Sequence, residues 1–347
     1  MKKNQLIYLA IVGTLAICAS CAKKSLEESL SSPVTTMNAH VNSLQGGLNL
    51  GVNGHPINQT AYGSRPAHEQ IKLLKKLSMS IYRVDMPFSA STGQISPEIF
   101  YTRIKSSADS AGITILPMVP AATLDYTGTE ATAYQSGYTR AYNFANRYKN
   151  DFTYYNLGNE LDNSCIKSSN HSGQNVSDYD SVKFKVIAAH LKGMDDGVKA
   201  ADSDAQTMIV AGWLHYRYLL MLENYGVNFN IVAYHWYNNM ESLAAGSPYF
   251  IPDITQKLSS LFTKPIWFTE TGMVNTNGTK PDSIQRNFLN SFLAKCQSNP
   301  QVKAVIIYEL FDQPIFNSVE SHYGLYRWVT PYTVYEPKLW AQENELP

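Results

Sequence analysis

The sequence has no surplus of either charge: 28 basic residues balance 28 acidic ones, and only 16% of its 347 residues are charged. That balance removes the electrostatic case for a nucleic-acid or anionic-membrane partner. Cysteine is scarce. The four present, Cys18, Cys21, Cys165 and Cys296, have neither metal-ligand spacing nor the density of a disulfide framework. Long apolar runs are missing as well, since the stretch at residues 6–17 is too short to span a bilayer comfortably. The segment Asn49-Leu50-Gly51-Val52-Asn53-Gly54-His55 lacks the G-x-G-x-x-G fingerprint of dinucleotide sites, and no phosphate-loop, zinc or kinase motif occurs elsewhere. What the chain has is the composition of a soluble globular protein, 44% hydrophobic and 12% aromatic, with 23 Tyr. Tyrosine at that level suits stacking on sugar or base rings and equally suits ordinary packing.

Lys2 and Lys3 precede the apolar run, which ends in Cys18-Ala19-Ser20-Cys21. This is the layout of a secretory signal. Its ending resembles a bacterial lipoprotein signal, which implies residues 1–20 as signal peptide, Cys21 as the lipidated first residue, and a bacterial cell-envelope location through that anchor. Cys18 departs from the usual pattern, leaving plain cleavage near Ala19 as the alternative. Residues 21–45 are polar and Ser-rich and read as a flexible tether, and residues 46–347 as one domain. Cys165 and Cys296 read as structural, with a disulfide between them left open by an envelope location.

Within that domain, short runs rich in Val, Ile, Leu and Tyr recur at residues 48–52, 81–86, 113–118, 154–157, 208–212, 231–234, 266–269 and 305–310. Helical periodicity fills the gaps, over residues 67–77, 97–111, 133–148, 178–200, 216–225, 252–261 and 282–297, with a short segment at 337–343. Ser96-Pro97-Glu98 and Lys280-Pro281-Asp282-Ser283 supply helix starts. Eight strands alternating with helices predict an α/β fold, a single (β/α)8 TIM barrel, over an open doubly wound sheet.

The polar residues are one-sided. Carboxy-terminal strand ends carry Asn53 and His55, Arg83 and Asp85, Asn159 and Glu160, Trp213 and His215, His235 and Tyr237, Glu270, and Tyr308, Glu309 and Asp312. Barrel enzymes place their chemistry at that face. Two strands, 154–157 and 266–269, are followed within three residues by a carboxylate, Glu160 and Glu270. A carboxylate finishing a core strand is either neutralised by a partner or used. A facing pair can divide into a protonated acid and an ionised nucleophile, each raising the other's pKa, and glycosidic bond cleavage requires such a division. The bland reading is two capping or salt-bridged groups.

From about residue 46 to 340 the chain resembles the glycoside hydrolases of clan A, retaining (β/α)8-barrel enzymes. The likeness rests on Asn159-Glu160 after the fourth strand, Glu270 on the seventh, His235-Trp236-Tyr237 on the sixth and Arg83 on the second. It implies Glu160 as acid/base, Glu270 as nucleophile and Asn159 as a ligand of the sugar 2-hydroxyl. It further implies Tyr237 as the group orienting Glu270, and Arg83 as the charge keeping Glu270 ionised. Leu161 replaces the usual Pro, and Tyr308 stands where a Trp often forms the sugar floor. The segment from Glu320 to Tyr326 resembles the stretch after the eighth strand in some members. Trp213 and Trp328 are expected to be sugar platforms, while alternation turns Trp236 outward. His55 and His215 read as hydrogen-bonded supports, and Asp85 and Asp312 as second-layer partners or simple salt bridges. The expectation is therefore a lipid-anchored, monomeric enzyme, free of metal or organic cofactors, that cleaves β-linked polysaccharide or oligosaccharide, attacking chain interiors. The alternative is a non-catalytic glycan-binding lipoprotein on the same scaffold.

Overall fold

A computed structural model of the chain describes residues 47–168, 170–314 and 320–346. Eight parallel strands close into a barrel: β1 (Asn49–Gly54), β2 (Ile81–Asp85), β3 (Thr114–Val119), β4 (Tyr154–Leu157), β5 (Gln206–Gly212), β6 (Ile231–Tyr237), β7 (Ile266–Gly272) and β8 (Val302–Ile307). Each pairs with the next, and β8 returns to β1 with Leu50 opposite Val305. The expected (β/α)8 barrel is the fold. The signal peptide, Cys21 and the tether lie outside the described residues. Among the described residues, no helix is long and apolar enough to cross a membrane.

Helices between the strands are α1 (Thr60–Gly63), α2 (Ala67–Lys76), α3 (Glu98–Ala111), α4 (Glu130–Tyr148), α5 (Asp162–Cys165), α6 (Ser181–Ala201), α7 (Tyr216–Tyr225), α8 (Asn238–Ala245), α9 (Ile254–Ser259) and α10 (Asp282–Ser298), and α11 (Leu339–Asn344) follows the last strand. An antiparallel hairpin, β9 (Tyr326–Thr330) and β10 (Val334–Pro337), precedes α11 and was not expected. Ser96 does not cap α3, whose first residue is Glu98 after an extended Pro97 with no side-chain cap. Genuine caps form at α4, where Thr129 accepts from the Thr132 amide, and at α6, where Asp180 accepts from Val182 and Lys183.

Two apolar layers follow from strand alternation. Ile81, Leu116, Met208, Val210, Ile231, Ala233, Trp267, Ala304 and Ile306 fill the lower barrel interior, and a larger cluster lies between strands and helices. Above the interior plug, the same inward positions become polar: Asn53, Arg83, Asn156, His235 and Glu270, all buried. β6 and β7 run three residues beyond their expected ends, because ladder pairing continues after the apolar run has stopped. β7 also shifts register. Tyr234 opposes Phe268 whereas His235 opposes Glu270, so Thr269 is an extra residue. Such a bulge flips side-chain parity, and it puts Glu270, not Thr269, beside His235.

Cys165 and Cys296 are both buried and free, so neither makes a disulfide. The α4–α6 contact is unusually close, since Gly137, Gly193 and Gly197 each back onto a carbonyl of the facing helix. A Cβ at Gly193 would overlap the Tyr134 carbonyl. Helix propensity alone favours Gly193→Ala by about 1 kcal/mol, but overpacking predicts a net loss of about 1–3 kcal/mol. The sign of the shift in urea midpoint distinguishes the two.

Candidate active site

The site starts where β4 ends. Gly158 and Glu160 both take left-handed backbone conformations, with φ of +71° and +46°. Glycine does so freely, but a glutamate pays for it, and such strain of about 1–3 kcal/mol is characteristic of functional positions. The turn carries Asn159 and Glu160 over the barrel mouth. Behind it, Asp162 in α5 accepts from His215 Nδ1 at 2.6 Å and from the Gly212 amide at 3.2 Å, tying the turn to the end of β5. His215 is thus the hydrogen-bonded support that was expected.

Arg83 is the hub beneath the turn. Its guanidinium donates to Asn53 Oδ1 at 2.7 Å, and to Asn156 Oδ1, Asn159 Oδ1 and Glu270 Oε1, each at 2.8 Å. With its oxygen held by Arg83, Asn159 keeps its side-chain N–H groups as donors. Glu270 accepts on its other oxygen from the Tyr237 hydroxyl at 2.8 Å. Burial, and then the charge of Glu270, push the Tyr237 hydroxyl well above its usual pKa, so it stays a donor.

His235 lies between the two carboxylates. Its Nδ1 is 2.9 Å from Glu160 Oε1 and 3.3 Å from Glu270 Oε2. Two carboxylates need a donor, which places the hydrogen on Nδ1; Nε2 is buried without a partner. One carboxylate oxygen from each glutamate and a His235 nitrogen all lie within 4.8 Å of one another. Glu160 keeps 36% of its side chain exposed, against 9% for Glu270. Burial acts to raise the Glu160 carboxyl, but the His235 bond and the charges of His235, Arg83 and His215 outweigh it and hold the group below its usual value. The mutual repulsion expected to raise it does not prevail there. These three side chains are also donors of the kinds that hold a transition metal. The His235 hydrogen is committed to Glu160, however, and the Arg83 charge sits on Glu270, so a cation would have to displace both.

Around the pair opens a pocket of about 370 Å³. Asn159, Arg83, Tyr237, Tyr308, His55 and Asp85 line it, as do Gln59, Met118, Val274, Glu320 and Tyr323. His55 Nδ1 meets Asp85 at 2.6 Å. Burial acts to lower the His55 pKa, but Asp85 and Glu309 carry it up to about 9. Tyr308 donates to Glu320 at 2.9 Å. Glu309 points away from the pocket, fully buried against Tyr62 and Gln313, and burial pushes it up to about 8.

Trp213 and Trp328 are not brought to the pair. Trp213 stacks on Trp236 at 6.2 Å and meets Tyr249 edge-on, outside the pocket lining. Trp236 itself faces outward, as alternation requires, with its N–H on Glu241. Trp328 belongs to the unexpected hairpin, packs on Phe311 and donates to the Asp312 carbonyl. Aromatic surface at the pocket comes from Tyr237, Tyr308 and Tyr323. Asp312 pairs with Lys338 at 2.7 Å and accepts from the Gly324 amide at 2.8 Å, fastening the returning loop. Sequence reasoning missed Glu320 and Tyr323 as pocket residues, because they follow β8 in a loop without periodicity.

Residues 197–334 match the family model described as glycosyl hydrolase catalytic core. That stretch holds His235, Tyr237 and Glu270 but not Glu160. No curated protein sequence matches the chain. Among solved structures, a family 1 β-glucosidase from Thermotoga maritima aligns at 12% identity, over 87% of this chain and 98% of that one, with a TM-score of 0.62. A β-glucosidase mutant derived from a hyperthermophilic tetrameric structure aligns at 9% identity over 87% and 96%, with a TM-score of 0.64. The AHE enzyme from Alicyclobacillus herbarius aligns at 10% identity over 86% and 95%, with a TM-score of 0.60. At such identities the likeness is one of fold.

Proposed function

We propose that this (β/α)8 barrel is a glycoside hydrolase that cleaves β-linked polysaccharide or oligosaccharide with retention of anomeric configuration. The observation that carries this reading is that one oxygen of Glu160 and one of Glu270 lie within 4.8 Å of each other. Retaining enzymes hold their carboxyl groups ~5–5.5 Å apart, while inverting ones need ~6.5–9.5 Å to admit a water between. Glu270, anchored by Arg83 and Tyr237, is the nucleophile that attacks the anomeric carbon. Glu160, on the solvent side, protonates the departing glycosidic oxygen. A glycosyl ester on Glu270 results. Glu160, having lost its proton, then takes one from water, which attacks the same carbon and frees Glu270. Because Glu160 sits below its usual pKa in the open pocket, the sugar must help it acquire a proton by expelling water and taking the place of the His235 bond.

The β-linkage is supported by β-glucosidases among the fold relatives, and interior attack by an expectation from the sequence. Proton NMR of the first-formed product is expected to show the anomer of the substrate; net inversion would sink the mechanism. A panel of defined polysaccharides, with products sized over time, separates interior from end attack. We further propose that the protein is a monomer tethered to the bacterial envelope by lipid on Cys21. Metabolic labelling with a fatty acid, lost in Cys21→Ala, checks the anchor.

A further inference from the structure

The pocket beside the catalytic pair has an uneven charge count. Its lining contains four carboxylates, Asp85, Glu160, Glu270 and Glu320, and two cations, Arg83 and His55. Neither cation is available to an incoming anion. Arg83 directs its donors to Asn53, Asn156, Asn159 and Glu270. His55 is wedged with one nitrogen on Asp85 at 2.6 Å, and the other 3.4 Å from the Tyr308 hydroxyl and 3.5 Å from Glu309. No lysine lines the pocket. With Glu160 carrying its catalytic proton, the lining still holds an excess of negative charge.

Two of those carboxylates belong to the chemistry and one pairs with His55. Glu320 is the fourth, and it shares the charge of His55 with Asp85. It reaches the pocket from the loop after β8, and the Tyr308 hydroxyl orients it at 2.9 Å. Burial, and the charges of Glu270 and Glu160, raise its carboxyl above the usual value against the opposing pull of the Tyr308 bond and the His55 charge, so it lies within electrostatic reach of all three charged groups.

Resting on the glycosidase reading above, we propose that this pocket admits uncharged sugar units and rejects those bearing carboxylate or sulfate, with Glu320 as a determinant of that selectivity. A sugar anion entering here exchanges its hydration for carboxylate neighbours and gains no free cation. Like-charge juxtaposition of this kind discriminates strongly against wrong partners, and within a pocket it is screened less than at an open surface.

The test uses the neutral polysaccharide that the protein cleaves fastest, in hydroxyethyl and carboxymethyl forms of equal substitution. The two derivatives match in bulk and differ in charge. At low salt the carboxymethyl polymer is expected to be cleaved slower by on the order of tenfold or more, and added salt should narrow the gap. In Glu320→Gln the carboxymethyl-to-hydroxyethyl rate ratio should rise several-fold. The salt dependence is measured on the unaltered protein and so stands apart from any folding defect in the variant. Equal rates on the two derivatives at low salt overturn the inference while leaving the glycosidase reading in place. So does a uronic-acid or sulfated polymer cleaved fastest of all. Release of sugar from no polymer, neutral or anionic, overturns the glycosidase reading and this inference with it.

Discussion

Replacing Glu270 by alanine is expected to abolish turnover, lowering kcat by about 10⁴-fold or more, as removal of a nucleophile does in other covalent mechanisms. Arg83 and Tyr237 would then hold their donors toward a position with no carboxylate to attack the anomeric carbon. Glu160→Ala should fail differently. Aryl glycosides with good leaving groups need little protonation, so their glycosyl ester on Glu270 still forms but hydrolyses slowly without a base. Azide, small and anionic, is expected to enter where the half-exposed Glu160 carboxylate stood, restore part of the turnover and yield a glycosyl azide of retained configuration. The asymmetry is the informative part. Rescue of Glu270→Ala with the same retained product, or full activity in either variant, would reverse or remove the roles assigned here.

The second large effect falls on stability as well as rate. Arg83→Leu would strip the hydrogen-bond donor from three asparagine oxygens and leave Glu270 in the barrel without its counter-charge. Breaking a buried pair from one side costs about 3–5 kcal/mol, against total stabilities of about 5–15 kcal/mol for domains in general. Arg83→Lys keeps a charge but cannot present the planar fork that serves several acceptors at once. Its midpoint in urea is expected between those of the Leu variant and the unaltered protein, with kcat still reduced because Glu270 and Asn159 are no longer aligned together. An unchanged midpoint in Arg83→Leu would show that the asparagines find other partners.

The barrel was legible because parallel strands covered on both faces read as apolar runs, and all eight did. What the runs could not mark was where pairing stops. His235, Tyr237 and Glu270 read as strand-end residues just past the apolar runs, whereas ladder pairing carries them inside β6 and β7. The carboxylate pair was legible for a related reason: Glu160 and Glu270 interrupt or end buried segments where a charge is costly. The bulge at Thr269 that aims Glu270 leaves no trace in composition. Nor does the hairpin of β9 and β10, and without it Trp328 looked like a sugar platform instead of a packing residue over Phe311. Glu320 was hidden because a loop residue's position depends on what fastens the loop, here Asp312, Lys338 and the Gly324 amide. The direction of the Glu160 shift was out of reach too, since it is decided by His235 at 2.9 Å, a contact between strands far apart in the chain.

The contacts of Arg83 reach β1, β4 and the turn after it, and β7, while the pairing of β8 with β1 closes the sheet. Early and late parts of the chain must both be in place before the site exists. A half-formed barrel, whatever its helical content, would have a nucleophile without its anchor. Recovery of activity during refolding should therefore trail the recovery of helical signal and coincide with the meeting of the two ends of the sheet, making catalysis itself a clock for the last event of assembly.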